Sequence, residues 1–316
     1  MIVPQQLLEE ATALLLPTTT VNATPTPTPL PTVQPDPITL ILTQNATETG
    51  HRTLWVICVF MGVTSLVFYF LAARAPIQKR LFHFITSVIT TIAFLSYFAM
   101  ATGDGVSWRT ISVAENSSHT ITEITKRQVY WARYVDWALT TPLLLLDLAF
   151  LAGLSGYSIL VVVVADVIMT LSTLFATLSN LEAQRWGWYT ISCISFLTIV
   201  YQLGYKGRNA MADKDNRTRA FFGTLSLFTL IVWTIYPVVW GISEGSQITT
   251  VDGEIIAYAV LDLLAKPVFG SWLLFTHDRN LVRSTISLDG FWTEGLTGTG
   301  AIRVGLSSRY HDDIAY

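Results

Sequence analysis

Seven apolar runs, each close to twenty residues long, constrain the fold of this chain more than any other feature. They lie at about 53–73, 81–102, 129–149, 157–179, 187–205, 220–242 and 254–276. A helix of about 20 apolar residues spans the hydrocarbon layer of a bilayer. Only 13% of the 316 residues are charged, about half of the ~25% typical of soluble domains. The sequence therefore predicts an all-α membrane protein, a bundle of seven transmembrane helices.

The composition also excludes several functional classes. A net charge of −3 offers no basic surface for nucleic acid. The two cysteines, Cys58 and Cys193, both lie in apolar runs, so neither a disulfide framework nor a cysteine metal site is expected. We predict no metal site and no nucleic-acid partner. The partner that the composition predicts is the lipid bilayer.

The chain divides into a seven-helix domain, residues 51–277, and two tails. Residues 1–50 contain a Pro/Thr-rich stretch at 23–37 and no lysine or arginine, a composition typical of a mostly disordered segment. Residues 278–316 form a polar tail. Eight lysines and arginines lie in the loops at 74–80 and 206–219, against four in the opposite loops. The excess of positive charge marks the cytoplasmic side, which predicts an extracellular N-terminus and a cytoplasmic C-terminus.

This orientation bears on the glycosylation patterns in the sequence. Asn22, Asn45 and Asn116 begin Asn-X-Ser/Thr triplets on the predicted extracellular side, whereas Asn216 begins one on the cytoplasmic side. Such triplets are also common by chance. Together with the seven spans, the three extracellular patterns favour a multi-pass protein of the plasma membrane, with an internal membrane as the alternative.

Six charged residues lie within the predicted spans, and they are the most informative residues of the chain. An ionisable group within a bilayer is costly, so each is a functional candidate. The alternative is that they neutralise one another as ion pairs that only stabilise the packing. The six residues are Arg133, Asp136, Asp147, Asp166, Asp262 and Lys266.

Lys266 lies about midway along the last span, where its ammonium group cannot readily reach either surface. It needs a partner, must lose its proton, or must be chemically modified. Asp262 is four residues earlier, on the same helix face. A desolvated lysine is suited to forming a Schiff base with an aldehyde. Pro267 removes the backbone donor for Leu263, so we expect a helix irregularity there.

The third span carries a second constellation. Arg133 and Asp136 are three residues apart and share a face. Asp147 follows Asp136 by eleven residues, on the same face and ~16 Å further along the axis. Thr140 lies one turn from Asp136. The vertical order indicates an axial proton path, whereas the alternative is one ion pair and one protonated aspartic acid.

An aromatic face on the sixth span indicates a binding pocket. Trp233, Tyr236, Pro237 and Trp240 have the spacing i, i+3, i+4, i+7, which places them on one side of a helix. The fifth span opens with the aromatic run RWGWYT. Such stripes more often belong to a core or to an interface belt. Here the stripe runs through the span and suits a flat, polyene-like ligand.

These motifs resemble those of the microbial (type 1) rhodopsins, in the fungal and eukaryotic proton-pump branch, with a plan similar to bacteriorhodopsin. The resemblance covers about residues 53–277 and rests on ARYVDWALTTPLLLLDL, WTIYPVVWGISEG and DGEIIAYAVLDLLAK. It implies all-trans retinal bound to Lys266 as a protonated Schiff base. It also implies that Asp136 is the primary counter-ion and proton acceptor, and that Asp262 is the second counter-ion.

The same resemblance implies roles for residues further along the proton path and around the retinal. Asp147 would be the cytoplasmic proton donor, helped by Thr86, while Arg133 would lie beneath the counter-ions. Glu244 and Glu254 match an extracellular proton-release pair. The pocket positions implied are Tyr97, Trp137, Thr140, Thr141, Asp166, Met169, Trp188, Trp233, Tyr236, Pro237 and Trp240, with Thr173 and Ser192 at the ring end.

The implied function is a light-driven outward proton pump, an ion transporter rather than an enzyme. Thr173, in place of a glycine, and Pro267, in place of glycine or valine, depart from the commoner family pattern and bear on colour and turnover. Two alternatives stay open: a photosensor that signals to a partner, and a seven-helix enzyme or transporter that does not use retinal. A homo-oligomer is compatible with the sequence, and no protein partner is inferred.

Overall fold

The computed structural model describes residues 38–76, 80–115, 121–212, 216–280, 284–287 and 303–306. Asn22, Asn116 and most of the two predicted tails lie outside these residues. Asn45 is described, and its side chain is exposed between the first strand and the first helix.

Seven long helices form the described domain. They are α1 (Glu48–Arg74), α2 (Arg80–Thr102), α3 (Ala132–Ala152), α4 (Gly156–Leu178), α5 (Glu182–Tyr201), α6 (Asn216–Trp240) and α7, which has two α-helical parts, Val251–Leu263 and Phe269–Asn280. All except α5 are long and apolar enough to cross a membrane. The seventh, α5, has 20 residues and begins with polar side chains. The predicted seven-helix membrane bundle is confirmed.

Local sequence signals set several helix ends. Thr47 precedes α1, and its hydroxyl accepts a hydrogen bond from the backbone N–H of Thr49 at 3.3 Å. Ser155 caps α4 in the same way through the N–H of Ser158. Gly153 ends α3 with φ of 69°, a left-handed conformation that glycine adopts without steric cost. Residues 153–155 therefore form a tight turn between α3 and α4.

Three of the helices contain wider π-helical turns. Gln202–Gly207 continues α5 and leads into the short helix Arg208–Ala210, Gly241–Gly245 continues α6, and Leu264–Val268 joins the two parts of α7. The last segment contains Lys266 and Pro267. Because proline has no backbone N–H, the α-helical bond to Leu263 cannot form. The irregularity predicted at Pro267 is confirmed, and it sets the direction of the lysine.

A three-stranded sheet covers one end of the bundle, and the sequence did not predict it. Strands β1 (Ile38–Gln44), β2 (Ser107–Glu115) and β3 (Ile121–Val129) pair in the order β1-β3-β2. β1 runs parallel to β3, and β2 runs antiparallel to it with a register shift between Thr110 and Ser112. Strands β4 (Ser284–Ser287) and β5 (Arg303–Leu306) pair antiparallel.

The sheet shows where the expected domain boundary near residue 50 differs from the structure. Residues 38–44 were assigned to a mostly disordered tail, yet they form β1, and α1 begins at Glu48. The reason is tertiary, because the partner strand of β1 lies some 80 residues later in the chain. A single short apolar stretch carries no signal for such a distant pairing.

The distribution of side chains is that of a membrane bundle. Large apolar residues face outward, as Val56 and Leu66 do at 65% and 71% exposure. All six ionisable residues predicted within the spans are buried inside the bundle, each at most 2% exposed. The outer surface therefore suits lipid, and the charged groups of the spans lie in the interior.

Candidate functional site

Lys266 lies between two carboxylates at the centre of the bundle. The π-helical turn of α7 directs its side chain toward α3, where its amine bonds to Asp136 Oδ2. Its Nζ also lies 3.1 Å from Asp262 Oδ1, one turn earlier on α7. The three side chains are at most 2% exposed. The structure thus brings together the lysine and both predicted counter-ions.

The two carboxylates differ in how fully their oxygens are used. Asp262 accepts hydrogen bonds from Tyr97 at 2.7 Å and from Tyr236 at 2.8 Å, so both of its oxygens are occupied. Asp136 Oδ1 has no hydrogen-bond partner among the described residues. Lys266 is the third donor to Asp262. Three donors stabilise a carboxylate as an anion. Asp136 is therefore the carboxylate with an oxygen available for a proton.

A cavity opens beside the lysine. Its long walls are aromatic, and Lys266 lies at one end of it. Of the residues predicted for the pocket, the lining includes Trp137, Thr141, Met169, Thr173, Ser192, Trp233, Tyr236, Pro237 and Trp240. The lining residues that the prediction did not include are Leu144, Thr170, Tyr189, Cys193, Phe196 and Ala265.

Three predicted pocket residues, Tyr97, Thr140 and Asp166, are not part of the lining. Tyr97 contacts Asp262, and Asp166 accepts a hydrogen bond from Thr141 at 2.7 Å. At another point of the lining, the Thr173 and Ser192 hydroxyls lie 2.6 Å apart and bond to each other. The cavity is thus an apolar slot with an amine at one end and few polar groups elsewhere.

The prediction that Trp188 lines the pocket is wrong. Trp188 is 38% exposed and packs against Phe175 on the outer surface, with ring centroids 5.2 Å apart. Its neighbour Tyr189 lines the cavity and stacks on Trp240 at 4.5 Å. Successive side chains on a helix point about 100° apart. A run of several aromatics therefore does not show which of them faces the interior of the bundle. The spacing of Tyr189 to Ser192, three residues, was the signal that could have identified it.

Asp147 lies toward the C-terminal end of α3, and its side chain is completely buried. The Thr86 hydroxyl points to Asp147 Oδ2 at 3.5 Å, and Oδ1 has no partner among the described residues. No described cation pairs with this carboxyl. Thr140, between the two aspartates, donates to the main-chain oxygen of Asp136 at 2.8 Å and not to its carboxylate. An unpaired carboxyl in such surroundings favours its neutral, protonated form.

Arg133, in the first turn of α3, contacts two glutamates at the end of the bundle covered by the sheet. Its guanidinium lies 2.8 Å from Glu254 Oε1 and 3.8 Å from Glu244 Oε1. It also lies over the ring of Tyr258, 4.2 Å from the centroid. Glu244 is on the π-helical turn after α6, and Glu254 is in the first turn of α7. The predicted release pair thus meets at one arginine.

Three further arginines form hydrogen bonds at this end of the bundle. From the sequence, these residues indicated only the orientation of the chain in the membrane. Arg127 of β3 lies 3.0 Å from Glu254 Oε2. Arg109 of β2 donates to the main-chain oxygens of Thr177 at 2.6 Å and Glu244 at 3.0 Å. Arg185 donates to the oxygen of Gly245 at 2.9 Å. Burial, and then the neighbouring Arg185, lower the pKa of the Arg109 guanidinium.

Fold and site together define a class: a multi-pass bundle of seven helices with a buried lysine, two carboxylate partners and an aromatic slot. The family model described as bacteriorhodopsin-like protein matches residues 49–280. The chain belongs to this family, the microbial rhodopsins. Members of the family bind retinal covalently through a lysine Schiff base.

Individual relatives agree with this assignment. Opsin-1 of Neurospora crassa is 46% identical over 301 residues, which cover 94% of this chain and 98% of that protein. The crystal structure of the light-driven proton pump LR (Mac) from Leptosphaeria maculans has 49% identity and a TM-score of 0.71, covering 75% of this chain and 99% of that one. Halorhodopsin, a light-driven chloride pump, matches with 29% identity and a TM-score of 0.66, covering 75% and 98%. The same fold therefore carries different transported ions.

The residues of the site fit retinal. The cavity offers the amine of Lys266 at one end and flat aromatic walls along its length. Trp137 Nε1, in one wall, is buried without a partner among the described residues. Aromatic and apolar side chains with few polar atoms suit a polyene, and the amine suits its aldehyde.

Proposed function

We propose that this protein is a light-driven outward proton pump with all-trans retinal bound to Lys266. The observation that carries the proposal is the order of ionisable groups along the bundle. Asp147 lies on one side of Lys266, Asp136 and Asp262 lie beside it, and Arg133 with Glu244 and Glu254 lies on the other side. A proton can therefore enter, reach the centre and leave through groups on a single path.

Retinal, when bound, supplies light absorption and an isomerisation that moves the attached nitrogen. Lys266 holds it in place at the end of the cavity. Trp137, Trp233 and Trp240 orient it and exclude water, since their rings form the walls. In the dark, Asp136 and Asp262 stabilise a positive charge on the lysine nitrogen.

Asp136 is the proposed acceptor of the proton from the lysine nitrogen. Its Oδ2 contacts that nitrogen and its Oδ1 is free of other described partners. Asp262 remains an anion because Tyr97 and Tyr236 both donate to it. The difference in hydrogen bonding between two carboxylates at equal burial selects which of them takes the proton.

Asp147 is the proposed donor that restores the proton to the lysine nitrogen. It is fully buried with no described cation nearby, so its carboxyl is most stable when protonated. Thr86 orients it through the 3.5 Å contact. Glu244 and Glu254, joined through Arg133, are the proposed release site on the opposite side.

The positive charges in the loops give the proposed orientation. With residues 74–80 and 206–219 in the cytoplasm, the N-terminus, the sheet and the two glutamates lie outside. Asp147 then faces the cytoplasm, and transport runs outward. Against a membrane potential, each proton costs about 2.3 kcal/mol per 100 mV. We place the protein in the plasma membrane, where such a gradient can be maintained.

Chloride transport is disfavoured on this scaffold by one residue. Asp136 puts a fixed carboxylate beside the lysine nitrogen, in the position where a halide would have to sit. Two neighbouring anions in a buried site repel strongly. The donor Asp147 also favours a pump over a sensor, because a sensor does not require reprotonation from the cytoplasm.

Illumination of cells in weakly buffered medium tests the proposal. A pump acidifies the medium, and a protonophore abolishes the signal. An absence of any pH change, in cells whose protein has bound retinal, would favour the sensor. A signal that a protonophore increases would indicate that another ion drives passive proton movement.

Retinal binding has its own test. Adding all-trans retinal to the expressed protein should produce a visible absorption band. Lys266→Ala should remove the band, and Lys206→Ala, a lysine on the π-helical continuation of α5, is the matched control that should keep it. A band that survives Lys266→Ala would refute attachment at this residue.

A further inference from the structure

The two buried glutamates at the sheet-covered end are held in different ways. Glu254 lies between two arginines, with Arg133 at 2.8 Å from Oε1 and Arg127 at 3.0 Å from Oε2. Each oxygen thus accepts a charge-assisted hydrogen bond, the strongest kind available to a carboxylate. Both arginines are at most 2% exposed. This arrangement stabilises Glu254 as an anion.

Glu244 has no arginine within hydrogen-bond distance of its carboxyl among the described residues. Its Oε2 accepts from the hydroxyls of Tyr134 and Thr177, the latter at 3.1 Å. Within the described part of the chain its Oε1 has no hydrogen-bond partner, and Arg133 lies 3.8 Å away from it. A completely buried carboxyl with one free oxygen and only neutral donors can hold a proton at low cost.

Arg127 makes the pair more unequal than Arg133 does alone. Arg133 lies 2.8 Å from Glu254 and 3.8 Å from Glu244, so it already favours the anion of Glu254. Arg127 comes from β3 and touches only Glu254 of the two. The other terminal nitrogen of its guanidinium donates to Gln44 Oε1 of β1 at 3.0 Å. The sheet therefore delivers a second positive charge to one side of the pair.

We propose that Arg127 is a positioning residue that fixes Glu254 as a permanent anion and leaves Glu244 as the carboxyl that holds the releasable proton. The proposal deepens the proposed pump function and rests on it for its physiological meaning. Its chemistry, however, concerns the resting protein. Glu254 serves as the acceptor that keeps both arginines in place, and Glu244 gains and loses the proton.

The charged and titratable groups around Glu244 are consistent with a group that can change its protonation state. Arg133 of α3 faces it at 3.8 Å, and Arg109 of β2 contacts its main-chain oxygen but not its carboxyl. The anion of Glu254 and the phenols of Tyr134 and Tyr258 complete the surroundings. The positive charge of Arg133 and the negative charge of Glu254 oppose each other, so no single charge locks Glu244 in one form.

Infrared spectroscopy of the dark protein over a range of pH tests the assignment. A protonated carboxyl gives a C=O stretching band whose frequency depends on the side chain. Glu244→Asp should shift that band, and Glu254→Asp should leave its frequency unchanged. A band that follows Glu254→Asp, or the absence of a carboxyl band sensitive to either variant, would overturn the proposal.

Arg127→Gln then tests the cause of the inequality. Removal of the positive charge should raise the pH at which the band disappears by about one unit, a tenfold gain in proton affinity. Arg127→Lys should restore most of the original midpoint. Arg185→Gln is the matched control, because Arg185 is also buried nearby but bonds to a main-chain oxygen. An Arg127→Gln shift no larger than that of Arg185→Gln would overturn the role of Arg127.

These measurements separate the inference from the proposed function. They are made in the dark and need no photocycle, so a protein that does not pump can still satisfy or contradict them. The visible absorption band serves as the check of folding. If Arg127→Gln does not fold, the Glu244→Asp and Glu254→Asp pair and Arg127→Lys still decide which carboxyl carries the proton.

Discussion

Gly270 of α7 lies close to Thr86 of α2, and replacing it tests how that contact supports proton donation. A Cβ at this position would lie 2.3 Å from Thr86 Cγ2 and 3.1 Å from Phe68 Cε2. Carbon atoms in ordinary contact are about 3.5–4.0 Å apart. Gly270→Ala therefore requires Thr86 or the helix to move by more than 1 Å, in the direction away from α7.

The expected cost follows from the size of this overlap. Overpacking a buried contact costs about 1–3 kcal/mol. Alanine also removes the conformational disadvantage of glycine within a helix, worth about 0.5–1 kcal/mol. The net loss of folding free energy is then about 0–2.5 kcal/mol. Gly187→Ala is the matched control, since a Cβ there meets nothing within 4 Å, and it should be neutral or slightly stabilising.

Two measurements on purified, retinal-bound protein check the result. Loss of the visible band on heating gives the stability, and a domain of this size changes its Tm by roughly 2–4 °C per kcal/mol. Flash photolysis gives the rate of reprotonation, which should change because Thr86 contacts Asp147. Equal effects of Gly270→Ala and Gly187→Ala on both measurements would refute the reasoning.

Two further predictions concern the ends of the proton path. Asp147→Asn should slow reprotonation of the lysine nitrogen by about 100-fold or more, with added azide restoring part of the rate in flash photolysis; an unchanged rate would remove Asp147 as donor. Arg109→Gln should lower the thermal stability by about 2–4 kcal/mol, because the buried oxygens of Thr177 and Glu244 lose their donor. The wavelength of the visible band should not change in Arg109→Gln, because Arg109 stabilises the fold and does not line the retinal cavity. A large spectral shift would contradict this purely structural role.

The helices and the central ionisable residues were accessible from the sequence. Apolar runs predicted all seven helices, and Pro267 predicted the irregular turn that the structure shows at Leu264–Val268. Lys266 and Asp262 share a helix, so their proximity follows from a spacing of four residues. The contact of Lys266 with Asp136 spans 130 residues. It was expected only through the resemblance of the motifs to a known family.

Other features were missed because no local pattern encodes them. The rotation of α5 about its own axis places Tyr189, and not Trp188, in the cavity wall. Two adjacent aromatics in the sequence are compatible with either rotation. The sheet was missed because the strand at 38–44 pairs with a partner far along the chain. Arg109 and Arg127, which lie opposite each other on β2 and β3, were counted only as loop charges.

The sequence by itself determined the class of protein and the groups that move a proton. Helix length, apolar periodicity and the rarity of charge within the spans are local properties, and a bilayer imposes them on any chain that crosses it. Only the tertiary structure decided which partner each ionisable group meets. Arg127 reaches Glu254 across 127 residues, and the difference between Glu254 and Glu244 exists only because a strand outside the bundle carries that arginine to one of them. Hydrogen bonds need close contact, and charge interactions weaken with distance. Their effect therefore depends on which residues the tertiary packing brings together, and the spacing of residues along the chain does not specify that.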